Sequence, residues 1–225
     1  MPKLSKNFNM AAIATDVVMF TVHNQQLKVL LIEMKKKPFV GYWATPGGMV
    51  NPEESVDASA QRHLSNKAGI KDIYLEQLYT FGDVDRDPFG RVVSVAYFSL
   101  IPDADKFQIK TTHDYADISW HNVDHLPKMA YDHRHIIKMA LDRLRAKLEY
   151  TNVVYSLLPT DFTLAEMQQV YEVILGKNLD KRNFRKKILS LNMVEKTGKK
   201  TEGTAHRPAD LYKFTKKSPQ IVQIL

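Results

Sequence analysis

The side chains best suited to chemistry lie between Gly48 and Ile70, where Glu53 and Glu54 fall in the first turn of a helix predicted over 52–67. Carboxylates are the ligands that a hard cation such as Mg²⁺ requires, so an acidic pair at this place could hold a metal. Acidic residues are also favoured by the helix dipole in a first turn, which needs no metal. The later turns carry an imidazole, an amide and an ammonium, at His63, Asn66 and Lys67. Because Lys67 would repel a cation, the segment predicts a helix without a metal site.

The same segment resembles the Nudix box, which reads Gly, five residues, Glu, seven residues and Arg-Glu-apolar-any-Glu-Glu-any-Gly-apolar. Six positions match, at Gly48, Glu54, Arg62, Leu64, Gly69 and Ile70, and Trp43-Ala-Thr-Pro-Gly-Gly precedes them as is typical of the family. The three other glutamates of the pattern fall on His63, Asn66 and Lys67. In active Nudix enzymes these glutamates bind Mg²⁺ or Mn²⁺, which neutralises the diphosphate and helps to generate the attacking hydroxide. The resemblance implies a vestigial box (Gly48, Glu54, Arg62 and Gly69) with no catalytic residue, no metal ligand and no cofactor.

Composition limits the class of protein. The chain has 225 residues, of which 44% are hydrophobic and 25% charged, as in a globular protein of one large or two small domains. The absence of cysteine excludes disulfide frameworks, thiolate zinc sites and cysteine nucleophiles. No apolar run approaches the roughly 18–20 residues of a membrane helix, and residues 1–10 lack a signal-peptide apolar core. We therefore expect a soluble, cytoplasmic protein with no membrane partner.

The net charge of +7 is concentrated at one end of the chain. Residues 1–150 carry 19 Lys and Arg against 18 Asp and Glu, whereas residues 151–225 carry 13 against 7. A basic segment of this kind indicates an acidic partner, of which nucleic acid is the commonest. A solvated lysine-rich surface would give the same count, so the charge alone leaves both interpretations open.

Strand and helix patterns in residues 1–150 predict an α+β fold with a mixed sheet. Two β-branched apolar stretches, 14–20 and 28–34, predict an antiparallel hairpin. Further strands are predicted over 41–46, 73–81, 91–101 and 118–120, and a long amphipathic helix over 132–149. Together with the Nudix resemblance, this order implies an α/β/α sandwich that forms a ligand-sensing domain over 1–150.

Residues 151–225 have the pattern of a second domain. The capping box Thr163-Leu-Ala-Glu166 begins an apolar helix that ends at Gly176, and Asp180 can cap a second helix. The second helix is predicted over 181–191, and two strands are predicted over 193–197 and 209–214. Helix, turn, basic helix and hairpin is the order of a winged helix-turn-helix, which predicts a DNA-binding domain over 151–225.

The Nudix resemblance implies a cleft suited to nucleoside diphosphates. Basic residues near it are candidates for binding an anionic ligand, because guanidinium groups form bidentate hydrogen bonds with phosphates. These candidates are Lys35, Lys37, Arg62, Arg86 and Arg91. Ion pairs with Asp83, Asp85 and Asp87 would explain the two loop arginines equally well. The histidines, His133 among them, show no metal-ligand spacing and are interpreted as core or solvated side chains.

A second set of polar residues has the donors that contact phosphates and base edges in DNA. These are the helix residues Lys181, Arg182, Asn183, Arg185 and Lys186, and the wing residues Lys200 and Arg207. A basic helix that follows a capped helix and precedes a hairpin favours double-stranded DNA as the partner over a merely solvated surface.

The whole pattern resembles the Nudix-related transcriptional regulators of the NrtR and AraR types. The motifs that carry this resemblance are Asp85-Arg86-Asp87-Pro88, Arg91-Val-Val-Ser-Val-Ala-Tyr and Asp180-Lys-Arg-Asn-Phe-Arg-Lys. The resemblance implies a homodimeric bacterial repressor that senses ADP-ribose, or a sugar or sugar phosphate, in its Nudix-like domain. The alternative is an active Nudix hydrolase that cleaves ADP-ribose or a related nucleoside diphosphate, with Glu53, Glu54 and Asp57 holding a metal in another arrangement.

Overall fold

The computed structural model describes residues 10–68, 74–102, 115–202 and 208–224. The strands are β1 (Ala12–His23), β2 (Gln26–Met34), β3 (Trp43–Ala44), β4 (Gly47–Met49), β5 (Leu75–Phe81), β6 (Val92–Leu100), β7 (Tyr115–Asn122), β8 (Val194–Lys200) and β9 (Asp210–Phe214). The helices are α1 (Val56–Ala68), α2 (His133–Tyr150), α3 (Leu164–Leu175) and α4 (Lys181–Ser190). The predicted α+β class is confirmed.

Seven strands form one mixed sheet, in which β1 is parallel to β6 and all other pairs are antiparallel. The edge of β1 opposite β6 is shared by two strands. Its first half pairs with β4, where Asp16 lies opposite Gly47, and its second half pairs with β2, where Phe20 lies opposite Val29. The sheet therefore opens between β4 and β2, and this opening is where a cavity can form.

Alternate residues of β1 pack on opposite faces of the sheet, as the pleat of a strand requires. Val17 and Met19 belong to a cluster with Leu64 of α1, while Val18 and Phe20 belong to a cluster with the buried face of α2. The two helices thus cover the two faces, which confirms the predicted α/β/α sandwich.

Two sequence predictions in this domain need correction. The strand predicted over 41–46 is divided into β3 and β4, on either side of Thr45 and Pro46. The helix predicted over 52–67 begins only at Val56, because the Ser55 hydroxyl accepts the Ala58 N–H at 3.1 Å, as an N-cap residue does.

The C-terminal elements form the predicted winged helix-turn-helix. Thr163 and Glu166 make the reciprocal hydrogen bonds of a capping box, and α3 ends at Gly176 in a left-handed conformation with φ 67°. Asp180 caps α4 through the Asn183 N–H, and β8 and β9 form the antiparallel wing.

The two parts of the chain share one hydrophobic core. The buried face of α2, the segment around Val153 and Val154, and the inner faces of α3 and α4 belong to a single cluster. Residues predicted as a connector, 150–161, include a 3₁₀ turn over Val153–Ser156, of which Val153 and Val154 are buried. Within the described residues, no helix is both long and apolar enough to cross a membrane.

Gly47 provides a test of the sheet opening. A Cβ on Gly47 would lie 2.5 Å from Asp16 Oδ1 and 2.5 Å from the Thr15 carbonyl oxygen, a backbone atom that the pairing of β1 with β4 fixes. Gly47→Ala is expected to lower the free energy of unfolding by about 1–3 kcal/mol, as overpacking does. Urea denaturation followed by circular dichroism measures this, with Gly82→Ala as the matched control because a Cβ on Gly82 meets nothing within 4 Å. Equal stability of the two variants would contradict the close packing at Gly47.

Candidate functional site

A cavity of about 220 Å³ lies at the opening between β4 and β2. Its polar lining consists of Asp16, Thr45, Arg86, Asp87, Tyr115, Tyr131 and His133. Apolar residues from β1, β2, β3 and β6, the backbone of Gly47 and Gly48, and Met49 complete the wall. A cleft with mostly apolar walls and a few convergent polar groups is typical of a small-molecule site.

Asp16 is the centre of the polar wall, although it lies in the buried strand β1. Its carboxylate accepts hydrogen bonds from the Ser94 hydroxyl at 2.6 Å and from the Thr45 hydroxyl at 3.4 Å, and His133 Nε2 lies 3.4 Å away. The Thr45 N–H donates to His133 Nδ1 at 3.0 Å, while Nε2 of the same ring faces Asp16. Thr45 and Asp16 thus fix the orientation of the imidazole from its two nitrogens.

Among the described residues that line the cavity, Arg86 is the only arginine or lysine. Its Nε and Nη2 donate to the two carboxylate oxygens of Asp132 at 2.9 and 2.7 Å, and Nη2 lies 3.6 Å from Asp16. Burial lowers the pKa of Arg86, but the hydrogen bonds to Asp132 and the nearby carboxylate of Asp16 outweigh it and raise that pKa. Arg86 is therefore charged, and two carboxylates already neutralise it.

The other predicted ligand residues do not line the cavity. Lys35 and Lys37 are exposed in the segment after β2, and Arg91 donates to the Asp83 carbonyl oxygen at 3.2 Å. Arg62 belongs to α1 and faces Glu54. As ligand contacts these four residues remain predictions, whereas the structure brings Arg86 into the cavity wall.

Sequence reasoning missed Asp16 and Thr45 and interpreted His133 as a core or solvated side chain. His133 is buried, but it lines the cavity and contacts both Thr45 and Asp16. Tertiary structure brings Asp16 and Thr45 together across 29 residues, and Thr45 and His133 together across 88, which no local motif reports. One signal was available, since Asp16 is the acidic residue of β1 and is followed directly by an apolar run.

The vestigial Nudix box retains its internal ion pair. Arg62 Nε donates to Glu54 Oε2 at 2.9 Å and Nη2 to Oε1 at 2.5 Å, and the Asn51 N–H donates to Oε1 at 2.9 Å. The hydrogen bond from Arg62, followed by that from Asn51, lowers the pKa of Glu54 to about 2. Gly48 lets the box close, since a Cβ there would lie 3.1 Å from the His63 ring. Gly69, the remaining member of the box, lies outside the described residues.

These residues do not fit the Mg²⁺ ion that the Nudix box implies. Both oxygens of Glu54 face Arg62, Asp57 accepts the Tyr97 hydroxyl at 2.5 Å, and Glu53 is exposed. The helix positions of the other box glutamates hold His63, Asn66 and Lys67. Within the described parts of the chain, no three His, Asp or Glu side chains come together as metal ligands.

The second candidate site is the outer face of α4. Phe184 and Ile188 are buried, while all five predicted DNA-binding residues of the helix are exposed: Lys181, Arg182, Asn183, Arg185 and Lys186. The first turn has no acidic residue, although the helix dipole disfavours cations there. A helix that carries cations in its first turn despite this electrostatic cost is suited to binding an external polyanion.

A groove between α4 and the wing brings three predicted DNA-binding residues together, since Lys181, Arg185 and Lys200 all line it. The wing also contains cations that are paired within the protein. These pairs are Lys196 with Asp210, Lys199 with Asp161 and Lys213 with Glu195. Lys200 has no such pair among the described residues, and Arg207 lies outside them.

Two family models match the chain. The NUDIX domain model matches residues 12–140, and the NrtR DNA-binding winged helix domain model matches residues 154–214. A curated relative, the "ADPR responsive transcriptional repressor NtrR" of Acinetobacter baylyi, is 39% identical over 203 residues, which are 88% of this chain and 80% of that protein. These matches confirm the resemblance to the NrtR type of regulator.

Solved structures show the same similarity. The NrtR of Shewanella oneidensis in complex with a 27mer DNA is 35% identical, with a TM-score of 0.79 over 90% of this chain and 93% of that one. The NUDIX domain of the same protein in complex with ADP ribose, also 35% identical, has a TM-score of 0.55 over 64% of this chain and 94% of that one. An ADP-ribose pyrophosphatase of Methanocaldococcus jannaschii is 34% identical over 111 residues, which are 49% of this chain and 64% of that enzyme.

The ion pair of the vestigial box predicts a pH dependence of stability. The pKa of Glu54 is about 2 in the folded protein and 4.5 in a free glutamate. The stabilisation from ionised Glu54 is therefore complete above pH about 4.5 and is lost as the pH falls through about 2. We expect Glu54→Gln to lower the melting temperature at pH 7 and at pH 5 equally, and the difference from wild type to shrink below pH 4.

Thermal denaturation across this pH range measures the effect, with Glu53→Gln, an exposed neighbour, as the control. A Glu54→Gln difference that already disappears between pH 7 and pH 5 would contradict the lowered pKa.

Proposed function

We propose, because the chain belongs to the NrtR family of Nudix-related transcriptional regulators, that it is a repressor that binds operator DNA and responds to ADP-ribose. The observation that carries this proposal is the exposed cationic face of α4 within a winged helix-turn-helix. A NUDIX domain with a partly polar cavity supplies the place for the effector.

DNA recognition is assigned to α4 and the wing. In helix-turn-helix proteins the N-terminal residues of the second helix reach base edges in the major groove, and Arg182, Asn183 and Arg185 hold these positions. Arginine and asparagine make bidentate contacts to guanine and adenine. We assign contacts with DNA phosphates to Lys181, Lys186 and Lys200. Arg207 is assigned a phosphate contact as well, because of its place in the sequence of the wing.

ADP-ribose is the proposed effector because the Acinetobacter relative is named for its response to it and the Shewanella domain was solved with it. The cavity supports this choice in part, since Arg86 offers a guanidinium to a diphosphate and Asp16 and His133 offer partners for hydroxyl groups. A volume of about 220 Å³ holds one portion of such a ligand, with the remainder over the open mouth.

The proposal includes the absence of hydrolysis. The family consists of regulators, while the NUDIX match and the pyrophosphatase relative leave an enzyme as the second candidate. The occupied oxygens of Glu54 and the residues at positions 63, 66 and 67 support a protein that binds without cleaving.

We further propose a sensor domain over 1–150, a reader domain over 151–225, and a homodimer that reads a near-palindromic site in the cytoplasm. A two-fold protein matches a palindrome because each half-site meets the same recognition helix.

Arg185→Ala is expected to weaken operator binding by about 10- to 100-fold, as the loss of a base-contacting arginine does. Fluorescence anisotropy measures this with an operator duplex that the wild-type protein selects from a random-sequence pool. Lys138→Ala is the matched control, since Lys138 is an exposed cation of α2 in the sensor domain. An Arg185→Ala protein with the affinity of wild type would contradict the assignment of α4, and so would an equal loss in Lys138→Ala.

ADP-ribose is expected to raise the melting temperature in proportion to the logarithm of its concentration, because it binds the native state. The same incubation with Mg²⁺ is expected to release no AMP, as followed by chromatography. L-arabinose in place of ADP-ribose tests the sugar alternative. Stabilisation by the sugar and not by ADP-ribose would overturn the assignment of ADP-ribose as the effector. Turnover of ADP-ribose that disappears in Glu54→Gln would establish the hydrolase instead.

A further inference from the structure

Asp132 occupies the N-cap position of α2 without capping it. Its backbone has φ −89° and ψ 14°, and its side chain makes no cap hydrogen bond. Aspartate at this position normally accepts a backbone N–H from the first turn. Here both carboxylate oxygens are directed instead to the guanidinium of Arg86. The first turn of α2 is therefore held to the cavity by an ion pair and lacks its side-chain cap.

The guanidinium that holds Asp132 is also the charge that an anionic effector needs. Arg86 has only 9% of its surface exposed. Among the described residues of the cavity lining it is the only arginine or lysine. The remaining charged lining residues, Asp16 and Asp87, are acidic. Asp132 occupies Nε and Nη2 of Arg86, and Asp16 lies 3.6 Å from Nη2. A diphosphate that makes a bidentate contact with this guanidinium therefore needs Nη2, and it competes with Asp132 for that group.

The other end of α2 contacts the DNA-binding part. Arg145 Nε donates to the Ile174 carbonyl oxygen at the end of α3, at 2.9 Å. The last carbonyl oxygens of α2 accept backbone N–H groups from the C-terminal segment, with Ile224 donating to Glu149 and Val222 to Tyr150. A helix of 18 residues spans about 27 Å, so a rigid displacement at its first turn reaches both contacts.

We propose that the Arg86–Asp132 ion pair is the switch through which the effector changes DNA affinity, an inference that rests on the proposed function. In one state Arg86 holds Asp132 and fixes the start of α2 to the cavity. In the other state Arg86 holds the effector diphosphate, and the released Asp132 caps α2. The effector shifts the equilibrium because it binds only the second state well.

The test measures a coupling factor, defined as the operator Kd with saturating ADP-ribose divided by the Kd without it. Coupling factors of about 5- to 150-fold are usual for allosteric proteins. In Asp132→Asn the ion pair is lost while the side chain can still cap. We expect the coupling factor to fall at least fivefold and ADP-ribose to bind more tightly by calorimetry, because its competitor for Arg86 is gone.

Asp142→Asn is the matched control, since Asp142 lies on the exposed face of the same helix and pairs with Lys138 at 2.7 Å. We expect it to keep the wild-type coupling factor. Arg86→Lys provides a second variant, in which the charge remains and the bidentate geometry is lost, and its coupling factor should fall as well. Should Asp132→Asn fail to fold, Arg86→Lys alone decides the outcome.

Hydrogen exchange gives a readout that needs no DNA. ADP-ribose should slow exchange of the amides of residues 133–137 in wild type and leave them unchanged in Asp132→Asn. A wild-type coupling factor in Asp132→Asn, or weaker ADP-ribose binding by that variant, would overturn the switch and leave the proposed function standing. A wild-type protein whose DNA affinity ignores ADP-ribose overturns both.

Discussion

The buried carboxylate of Asp16 is the interaction on which the site depends. A charge inside a sheet is costly unless it is paired and hydrogen-bonded. Asp16 obtains its partners from β6 through Ser94, from the turn before β4 through Thr45, from α2 through His133, and from the β5–β6 loop through Arg86. Each of these segments is therefore held at the cavity by the same charge. The gap between β4 and β2 keeps its shape because its polar wall is a single connected network.

The network also explains why the proposed sensing and DNA-reading sites are not separate in this molecule. Asp132 and His133, at the start of α2, contact the network, while the apolar face of the same helix enters the core that continues into α3 and α4. When Asp132 or His133 changes its partner at the cavity, the start of α2 is affected. The sides of this helix are packed against the winged helix-turn-helix domain. Packed cores respond to such changes by moving between discrete arrangements rather than by continuous deformation.

Local patterns were sufficient to predict most of the fold. The β-branched apolar stretches of β1 and β2, the capping box at Thr163, and Asp180 before α4 are each local signals, and the structure confirms them. The cavity could not be predicted in the same way, because Thr45 and His133 meet only after the sheet has formed. Charge and sequence context predict Arg86 as a ligand residue, but its pairing with Asp132 across 46 residues depends on tertiary structure. The start of α1 was misplaced since Ser55, rather than an earlier residue, caps the helix.

The ion pair of the vestigial box supports the wall of the cavity beside this network. Arg62 binds Glu54 and also donates to the Met49 carbonyl oxygen at 3.3 Å, so the ion pair fixes the loop after β4. The backbone of β4 in turn forms the cavity wall beside Asp16. In a Nudix enzyme a metal ion neutralises the diphosphate. Where the metal ligands are replaced, a diphosphate in this cavity has to find its positive charge in the protein. In the proposed switch Arg86 supplies that charge at the wall and gives up Asp132, so that binding of the effector and release of the first turn of α2 are the same event.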